Sequence, residues 1–150
     1  MFNQLLEEAA YIQLLNTEDA LAVAEYPASG SYIDASPFER FGFLVAAGAM
    51  DSIVTAQVQQ ATAINGTAKN VTGAVIAIPA DGDDKWYLIE VQTDNLDSNN
   101  DYKYVTLDIT GPAGSNDYGA VLFFGFGANK PVTQPATKGS SVYVAGGQTG

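Results

Sequence analysis

The residues of this chain that could carry chemistry are mostly carboxylates. Asp81, Asp83 and Asp84 form one dense acidic cluster near the middle of the chain. Closely spaced carboxylate oxygens are the ligands that hard cations such as calcium prefer. The cluster is therefore a candidate cation site, and an ordinary acidic turn is the alternative.

A second acidic segment, Asp97-Ser-Asn-Asn-Asp101, has the alternating oxygens of a calcium-binding loop. The sixth position of such a loop needs Gly for a sharp turn, and here it is Tyr102. The twelfth position is Asp108, which strand alternation places on the face of a sheet. The segment therefore predicts a polar hairpin loop rather than a calcium site.

Enzymatic chemistry has few residues to work with. The chain has no Cys and no His, which excludes disulfides, thiolate zinc sites and cysteine nucleophiles and removes the commonest general base. Glu90 lies in the middle of a predicted strand near Trp86 and Tyr87, and a hydrolase using carboxylates around Glu90 is one alternative. Glycoside hydrolysis needs two carboxylates, however. We expect a protein that is not an enzyme and uses no cofactor.

The aromatic residues suggest a further alternative. Trp86, Tyr87, Tyr102 and Tyr104 could together form a platform on which sugars stack, which would make the protein a carbohydrate-binding module. Hydrophobic cores and subunit interfaces use the same residue types. The sequence does not decide between these uses.

The overall charge limits the choice of partner. The chain has 17 acidic and 6 basic residues, a net charge of −11. That charge disfavours direct binding to nucleic acid or to an anionic membrane, attracts a basic protein surface, and also aids solubility. No run reaches the roughly 20 apolar residues of a membrane span. Because residues 1–8 lack the features of a secretion signal, we expect synthesis in a cytoplasm.

The stretch from Ser52 to Ala128 organises the chain, since it predicts five β-strands cut by polar turns. Asn65-Gly66 is a strong signal for a tight turn between the first two. Short strands separated by turn residues predict an all-β sandwich or barrel. The continuous apolar run from Tyr118 to Gly127 predicts burial on both faces, partly against another chain. Three alternating patterns place the following residues on shared faces: Val54, Ala56 and Val58; Tyr87, Ile89 and Val91; Val105, Leu107 and Ile109.

The two ends differ from this stretch. Residues 2–15 have helical spacing and predict a short N-terminal helix, which docks either on its own domain or as an arm on a neighbouring subunit. Asn16–Asp19 could cap a second short turn or serve as a connector. A short strand over 31–36 and a longer one over 38–50 precede the central stretch. Residues 129–150 predict an extended C-terminal arm with a last short strand over 141–145. The predicted divisions are thus 1–30, 31–128 and 129–150.

Several segments resemble a family of small head structural proteins of tailed bacteriophages and prophages. The resemblance covers about residues 31–145 and rests on the order and spacing of these segments: Val58-Gln-Gln-Ala-Thr62, Gly66-Thr-Ala-Lys-Asn-Val-Thr-Gly73, Ile89-Glu-Val-Gln-Thr-Asp-Asn-Leu-Asp97, Tyr102-Lys-Tyr-Val-Thr-Leu-Asp-Ile-Thr110, Tyr118-Gly-Ala-Val-Leu-Phe-Phe-Gly125 and Pro135-Ala-Thr137. The helical segment before residue 16 has no counterpart in it.

The resemblance implies a jelly-roll-like β-sandwich that serves as a capsid decoration or cement protein. Its location would be the virion, its partner the major capsid protein, and its own state a homo-oligomer, with a trimer favoured. The alternative is a carbohydrate-binding or adhesion module of a phage tail or neck. The residues that we expect to contact partners lie in the two ends: Phe2, Leu5, Leu6, Ile12, Pro131, Pro135, Val142 and Tyr143.

Overall fold

The computed structural model of the protein describes residues 9–112, 117–128, 133–136 and 139. These residues form strands, turns and two very short 3₁₀ helices, Thr93–Asn95 and Ser98–Asn100. The strands in chain order are β1 (Ala9–Ala20), β2 (Ala24–Tyr26), β3 (Ile33–Asp34), β4 (Arg40–Ala47), β5 (Val54–Ala61), β6 (Lys69–Ile78), β7 (Trp86–Gln92), β8 (Tyr104–Thr110) and β9 (Tyr118–Phe126).

The strands form two antiparallel sheets. Sheet A has the order β1-β9-β4-β7, and sheet B has the order β2-β8-β5-β6, with β3 also pairing with β8. β2 pairs with residues 107–109 of β8 and β3 with residues 104–105, so the two short strands follow one another along a single edge. Apart from the step from β2 to β3 and the β5–β6 hairpin, every connection passes from one sheet to the other.

The inner faces of both sheets share one hydrophobic cluster. From sheet A, the ring of Phe123 stacks on Phe41 at 5.9 Å between centroids and meets Phe43 edge-on at 5.3 Å. From sheet B, Val58 and Leu107 are fully buried in the same cluster. The arrangement is sandwich-like, because each strand turns every second side chain toward the opposite sheet.

The central stretch is confirmed as all-β. Its five predicted strands correspond to β5, β6, β7, β8 and β9. The members of each alternating set share a face as predicted, and in the structure all three sets lie in the hydrophobic cluster or pack against it. The turn at Asn65-Gly66 joins β5 to β6, and the Gly66 amide donates a hydrogen bond to the Ala63 carbonyl at 3.0 Å. The alternation of apolar and polar residues was enough to predict these strands, because an apolar residue at every second position marks a strand with one buried face.

The predicted N-terminal helix is not found where the structure describes the chain. Residues 9–15, and Asn16–Asp19 beyond them, belong to strand β1, which pairs with β9 from Ala9–Phe126 to Ala20–Tyr118. A short run that is apolar at most positions fits helical and strand spacing alike. The edge of β9 decides between them, because its free backbone groups need a partner strand. Phe2, Leu5 and Leu6 lie outside the described residues.

Candidate interaction face

The outer side of sheet A carries apolar residues where a surface strand usually carries polar ones. On β9, the outward positions are the even-numbered ones, since the odd-numbered neighbours from Gly119 to Gly125 are buried. The register of strand pairing extends the same alternation to the other three strands of sheet A, which are β1, β4 and β7. We call this surface the apolar face, and it consists of Ile12, Leu14, Leu44, Ala46, Trp86, Leu88, Tyr118, Ala120, Leu122, Phe124 and Phe126.

One row of four leucines crosses the whole sheet. Leu14 on β1 is paired with Leu122 on β9, Leu122 with Leu44 on β4, and Leu44 with Leu88 on β7. Directly paired residues of antiparallel strands have Cβ atoms about 5 Å apart, so these four side chains are lateral neighbours. The row makes the apolar face continuous from one edge of the sheet to the other.

The next row contains a glycine that lets larger side chains close over it. Gly42 is paired with Phe124 on one side and Glu90 on the other. A Cβ atom at Gly42 would lie 3.3 Å from Leu88 Cδ1, 3.8 Å from Phe126 Cε2 and 3.2 Å from the Ile89 carbonyl oxygen. Leu88 and Phe126 therefore cover Gly42, which is buried although it lies on the outward side.

The charges among these rows cancel each other. The Arg40 Nε atom lies 2.8 Å from Glu90 Oε1, and both side chains are about half exposed. The Arg40 guanidinium also lies over the Phe126 ring, 4.9 Å from its centroid, and the Phe126 and Phe124 rings are stacked at 6.1 Å. The pair thus covers apolar surface and adds no net charge to the face.

The apolar face is open to solvent at its rim and half-buried at its centre. Trp86 is 69% exposed, and Leu88 and Tyr118 are each 41% exposed. None of the residues of the apolar face belongs to the hydrophobic cluster between the sheets. At about 4.8 Å per strand and 3.3 Å per residue, the four strands of sheet A cover roughly 500 Å² over the length of β9. The largest apolar patch on a typical monomer is about 300–600 Å² and is often functional, so the apolar face is a candidate contact site.

The outer side of sheet B is polar by contrast. Glu25 on β2 is paired with Asp108 on β8, and Asp108 with Gln57 on β5. Burial, and then the negative charge of Glu25, raise the pKa of Asp108. The Tyr32 hydroxyl donates a 2.7 Å hydrogen bond to Glu25 Oε2, and burial is the main cause that raises the pKa of Tyr32. The two outer sides therefore differ sharply in what they can bind.

A polar groove of about 750 Å³ lies between the edges of β6 and β7. Lys69 Nζ lies 2.6 Å from Asp97 Oδ2 in this groove, and 3.9 Å from the centroid of the Tyr102 ring. The hydrogen bond between Lys69 and Asp97 lowers the pKa of Asp97 and raises that of Lys69. Glu90 also lines the groove. The groove is thus lined mainly by hydrogen-bonding groups.

The groove does not favour the hydrolase hypothesis. A glycosidase needs one carboxylic acid that stays protonated near neutral pH and one that is ionised. Asp97 has a lowered pKa because it accepts hydrogen bonds from Lys69 and Asn100, and Glu90 is paired with Arg40. Each of the two carboxylates is thus paired with a basic side chain.

The acidic cluster after β6 is not arranged as a cation site. Asp83 Oδ1 accepts a 2.8 Å hydrogen bond from the Met50 amide and so holds the loop after β4. Asp84 has a left-handed φ of 57°, as turn residues often do. Within the described residues, no group of three or more acidic side chains is placed to hold a metal ion.

The four aromatic residues of the predicted sugar platform do not share a surface. Trp86 points outward from sheet A, whereas Tyr87, the next residue, is half-buried and donates a 3.3 Å hydrogen bond to the Gly82 carbonyl. Tyr104 lies on sheet B, just after Tyr102 in the chain. The structure therefore separates Trp86 from the tyrosines with which it was grouped.

Two of the eight predicted contact residues lie in the described part of the chain. Ile12 belongs to the apolar face, where it is paired with Phe124. Its amide donates a 3.4 Å hydrogen bond to Gln134 Oε1, so the residue before Pro135 lies against the edge of β1. The others, Phe2, Leu5, Leu6, Pro131, Val142 and Tyr143, fall outside the described residues, as does the predicted strand over 141–145.

Comparison with known proteins adds no family. No protein-family model, curated protein or solved structure matches the chain. In the part of the chain that the structure describes, no helix has the length and apolar character needed to cross a membrane. The apolar face is therefore interpreted from its own geometry.

Sequence reasoning found only part of the apolar face. The unbroken apolar run of β9 was the signal that indicated burial on both sides, and β9 does supply Leu122, Phe124 and Phe126. The sequence did not predict the contributions of Leu44 and Leu88. Each residue reaches the face only because its strand, β4 or β7, lies near β9 in sheet A, and the order of strands depends on contacts that are distant in the chain. A test for apolar residues at alternate positions on the solvent side of several strands would have detected them.

Proposed function

We propose that this protein is a capsid decoration or cement protein of a phage head, built as a jelly roll and bound to the major capsid protein. The observation that carries the proposal is the order in which the strands pair. Counting β2 and β3 as one interrupted strand makes eight, and these pair first with last, second with seventh, third with sixth and fourth with fifth: β1 with β9, β2 and β3 with β8, β4 with β7, and β5 with β6.

That order is what results when one long antiparallel ribbon is folded over on itself, which is the jelly-roll arrangement. Jelly rolls recur in viral capsid proteins and in lectins. The fold by itself is an analogy and leaves the function to be argued from surfaces. The surfaces of this chain offer an apolar face suited to packing against protein and a polar opposite side.

The segments that resemble phage head proteins support the same proposal. Val58–Thr62 ends β5, Ile89–Asp97 spans the end of β7, and Tyr118–Gly125 is most of β9. The resemblance thus follows the strands that build both sheets rather than one surface loop. Resemblance along the strands is what we expect if this chain and the phage head proteins share a fold.

A shell protein can be held by contacts that are individually weak. A capsid repeats one binding site many times, and an oligomeric partner engages several sites at once, so avidity multiplies modest contacts. A trimer on the shell remains our expectation from the sequence. The net charge of −11 would draw the protein to basic surfaces of the shell.

The deciding experiment is cryo-electron microscopy of the particle whose genome encodes this chain. We expect density for a two-sheet domain at regular positions on the head. Density at the tail or neck would instead support an adhesion module, and a particle without this chain would end the proposal. The 69% exposure of Trp86 favours that alternative enough to test Trp86→Ala on a glycan array.

A further inference from the structure

The apolar face is the part of the described surface where two copies of this acidic chain can approach most easily. On its strands β4, β7 and β9, the charged residues are Arg40 and Glu90, which are 2.8 Å apart. These three strands therefore carry no net charge, and the −11 of the chain comes from other residues. Two chains of this charge repel one another unless their contact is free of net charge.

The chemistry of the face also limits its partner. A basic partner would be drawn to the carboxylates elsewhere, for example to Glu25 and Asp108 on the outer side of sheet B. A partner for the leucine row must itself present a flat apolar surface with few charges. A second copy of the chain has such a surface in the same shape.

We propose that the apolar faces of two copies of this chain pack against each other and form a two-fold symmetric dimer. A face that binds the same face of another copy is isologous, and such a contact closes at two subunits. The two sheets A would lie about 10 Å apart, as packed sheets do. The four leucines of each copy and both Trp86 side chains would become buried.

The area of the apolar face indicates how tightly two copies should bind. Roughly 500 Å² from each copy gives about 1,000 Å² in total, which is near the lower limit for specific interfaces. We therefore expect a weak dimer, with a dissociation constant in roughly the micromolar range. The proposal does not rest on the role in a virion, and any three-fold contact would have to use other surfaces.

Analytical ultracentrifugation of the full chain, from about 1 to 500 μM, tests the proposal directly. We expect a reversible monomer–dimer equilibrium that tightens as sodium chloride is added, because salt screens the repulsion between two chains of net charge −11. Trp86, the only tryptophan, should report the same transition by a blue shift of its fluorescence as concentration rises. A monomer over the whole range, with unshifted fluorescence, would overturn the proposal.

Two matched variants separate this face from a general effect of charge. Leu88→Glu puts a carboxylate on the apolar face, and Val75→Glu puts one at a 49% exposed strand position of sheet B. We expect at least a tenfold weaker dimer for Leu88→Glu and little change for Val75→Glu, with both folded by circular dichroism. Equal effects of the two variants would place the contact elsewhere.

A third experiment tests whether the shell protein, rather than a second copy of the chain, binds the apolar face. Purified shells lacking the protein are mixed with the wild type and with each variant, and the bound protein is counted after sedimentation. A chain that is monomeric alone, and whose shell occupancy is lost only in Leu88→Glu, would show that the shell protein occupies the face. That result would overturn the dimer and support the role in the capsid. Dimerisation without shell binding would support the dimer and overturn the role in the capsid.

Discussion

Asp117 holds Ser52 with both of its carboxylate oxygens. Asp117 Oδ1 accepts a hydrogen bond from the Ser52 amide at 2.9 Å, and Oδ2 accepts one from the Ser52 hydroxyl at 2.6 Å. Oδ1 also accepts from the Asp51 amide at 2.6 Å, and the carboxylate is buried, with Asp117 1% exposed. The Asp117 carbonyl accepts from the Leu21 amide at 2.8 Å. Asp117 therefore ties the start of β9 to the β4–β5 loop and to the end of β1.

Replacing Asp117 should destabilise the protein strongly. Asp117→Ala leaves the amides of Asp51 and Ser52 without their acceptor, and we expect a loss of about 3 kcal/mol in the free energy of unfolding. Urea denaturation at pH 7 measures it. Asp117→Asn keeps one acceptor oxygen and should lose less. If the alanine variant unfolds at the wild-type urea concentration, the three hydrogen bonds are not stabilising.

Gln57 should be needed for the bulge in β6. Its Nε2 donates to the carbonyls of Val58, Val71 and Ala74 at 2.9–3.1 Å, where the register of β5 and β6 shifts. Gln57→Ala removes the donor, and we expect a loss of about 2 kcal/mol, measured by urea denaturation.

The matched variant Gln57→Glu distinguishes the donor from the shape of the side chain. A carboxylate at this position faces three carbonyl oxygens and cannot donate, so Gln57→Glu should be less stable than Gln57→Ala at pH 7. Part of the stability should return near pH 4, where the added carboxyl takes up a proton. Equal stability of the two variants at pH 7 would argue against the hydrogen bonds.

Asp108 should reduce stability at neutral pH. Because burial and then Glu25 raise its folded pKa, Asp108 binds its proton more tightly in the folded chain than in the unfolded one. The stability that it contributes is fully present below about pH 4, the unfolded pKa, and is lost as the pH rises through the folded pKa. We therefore expect Asp108→Asn to gain about 0.5 kcal/mol at pH 7, since like charges on paired strands repel.

The pH profile is the control for that prediction. Glu25 from β2 is the charged group that raises the pKa of Asp108, and Tyr32 is affected by both carboxylates. Urea denaturation at pH 3, 5 and 7 should show the gain of Asp108→Asn disappearing toward pH 3. A gain of the same size at every pH would mean that charge is not its cause.

Gly125 should not tolerate a side chain. A Cβ atom there would lie 2.5–2.6 Å from the Phe38 ring, which packs against Tyr11 and Phe123. Gly125→Ala should cost about 1–3 kcal/mol through overpacking, measured by thermal denaturation. Phe38→Leu in the same chain should recover part of the loss. The matched control is Gly139→Ala, which meets nothing within 4 Å and should be neutral.

The strands of the central stretch could be predicted because their signal is local. Val54, Ala56 and Val58 alternate with polar residues, and backbone geometry alone sends alternate side chains to opposite sides. Thr106 alternates with Val105 and Leu107 and therefore lies on the outer side of sheet B, but alternation does not predict that it is buried. Thr106 is 1% exposed, and its hydroxyl donates a 2.6 Å hydrogen bond to the carbonyl of Pro27, which lies 79 residues away in the chain.

The sequence by itself determined that this protein is all-β, acidic, and built around the strands after Ser52. Tertiary structure decided which strands are neighbours, and with that the secondary structure of residues 9–15 and the existence of the apolar face. Leu14, Leu44, Leu88 and Leu122 come together only because β1, β4, β7 and β9 are adjacent in one sheet. The direction of a side chain depends on its own backbone, whereas the partner of a strand depends on residues far away in the chain.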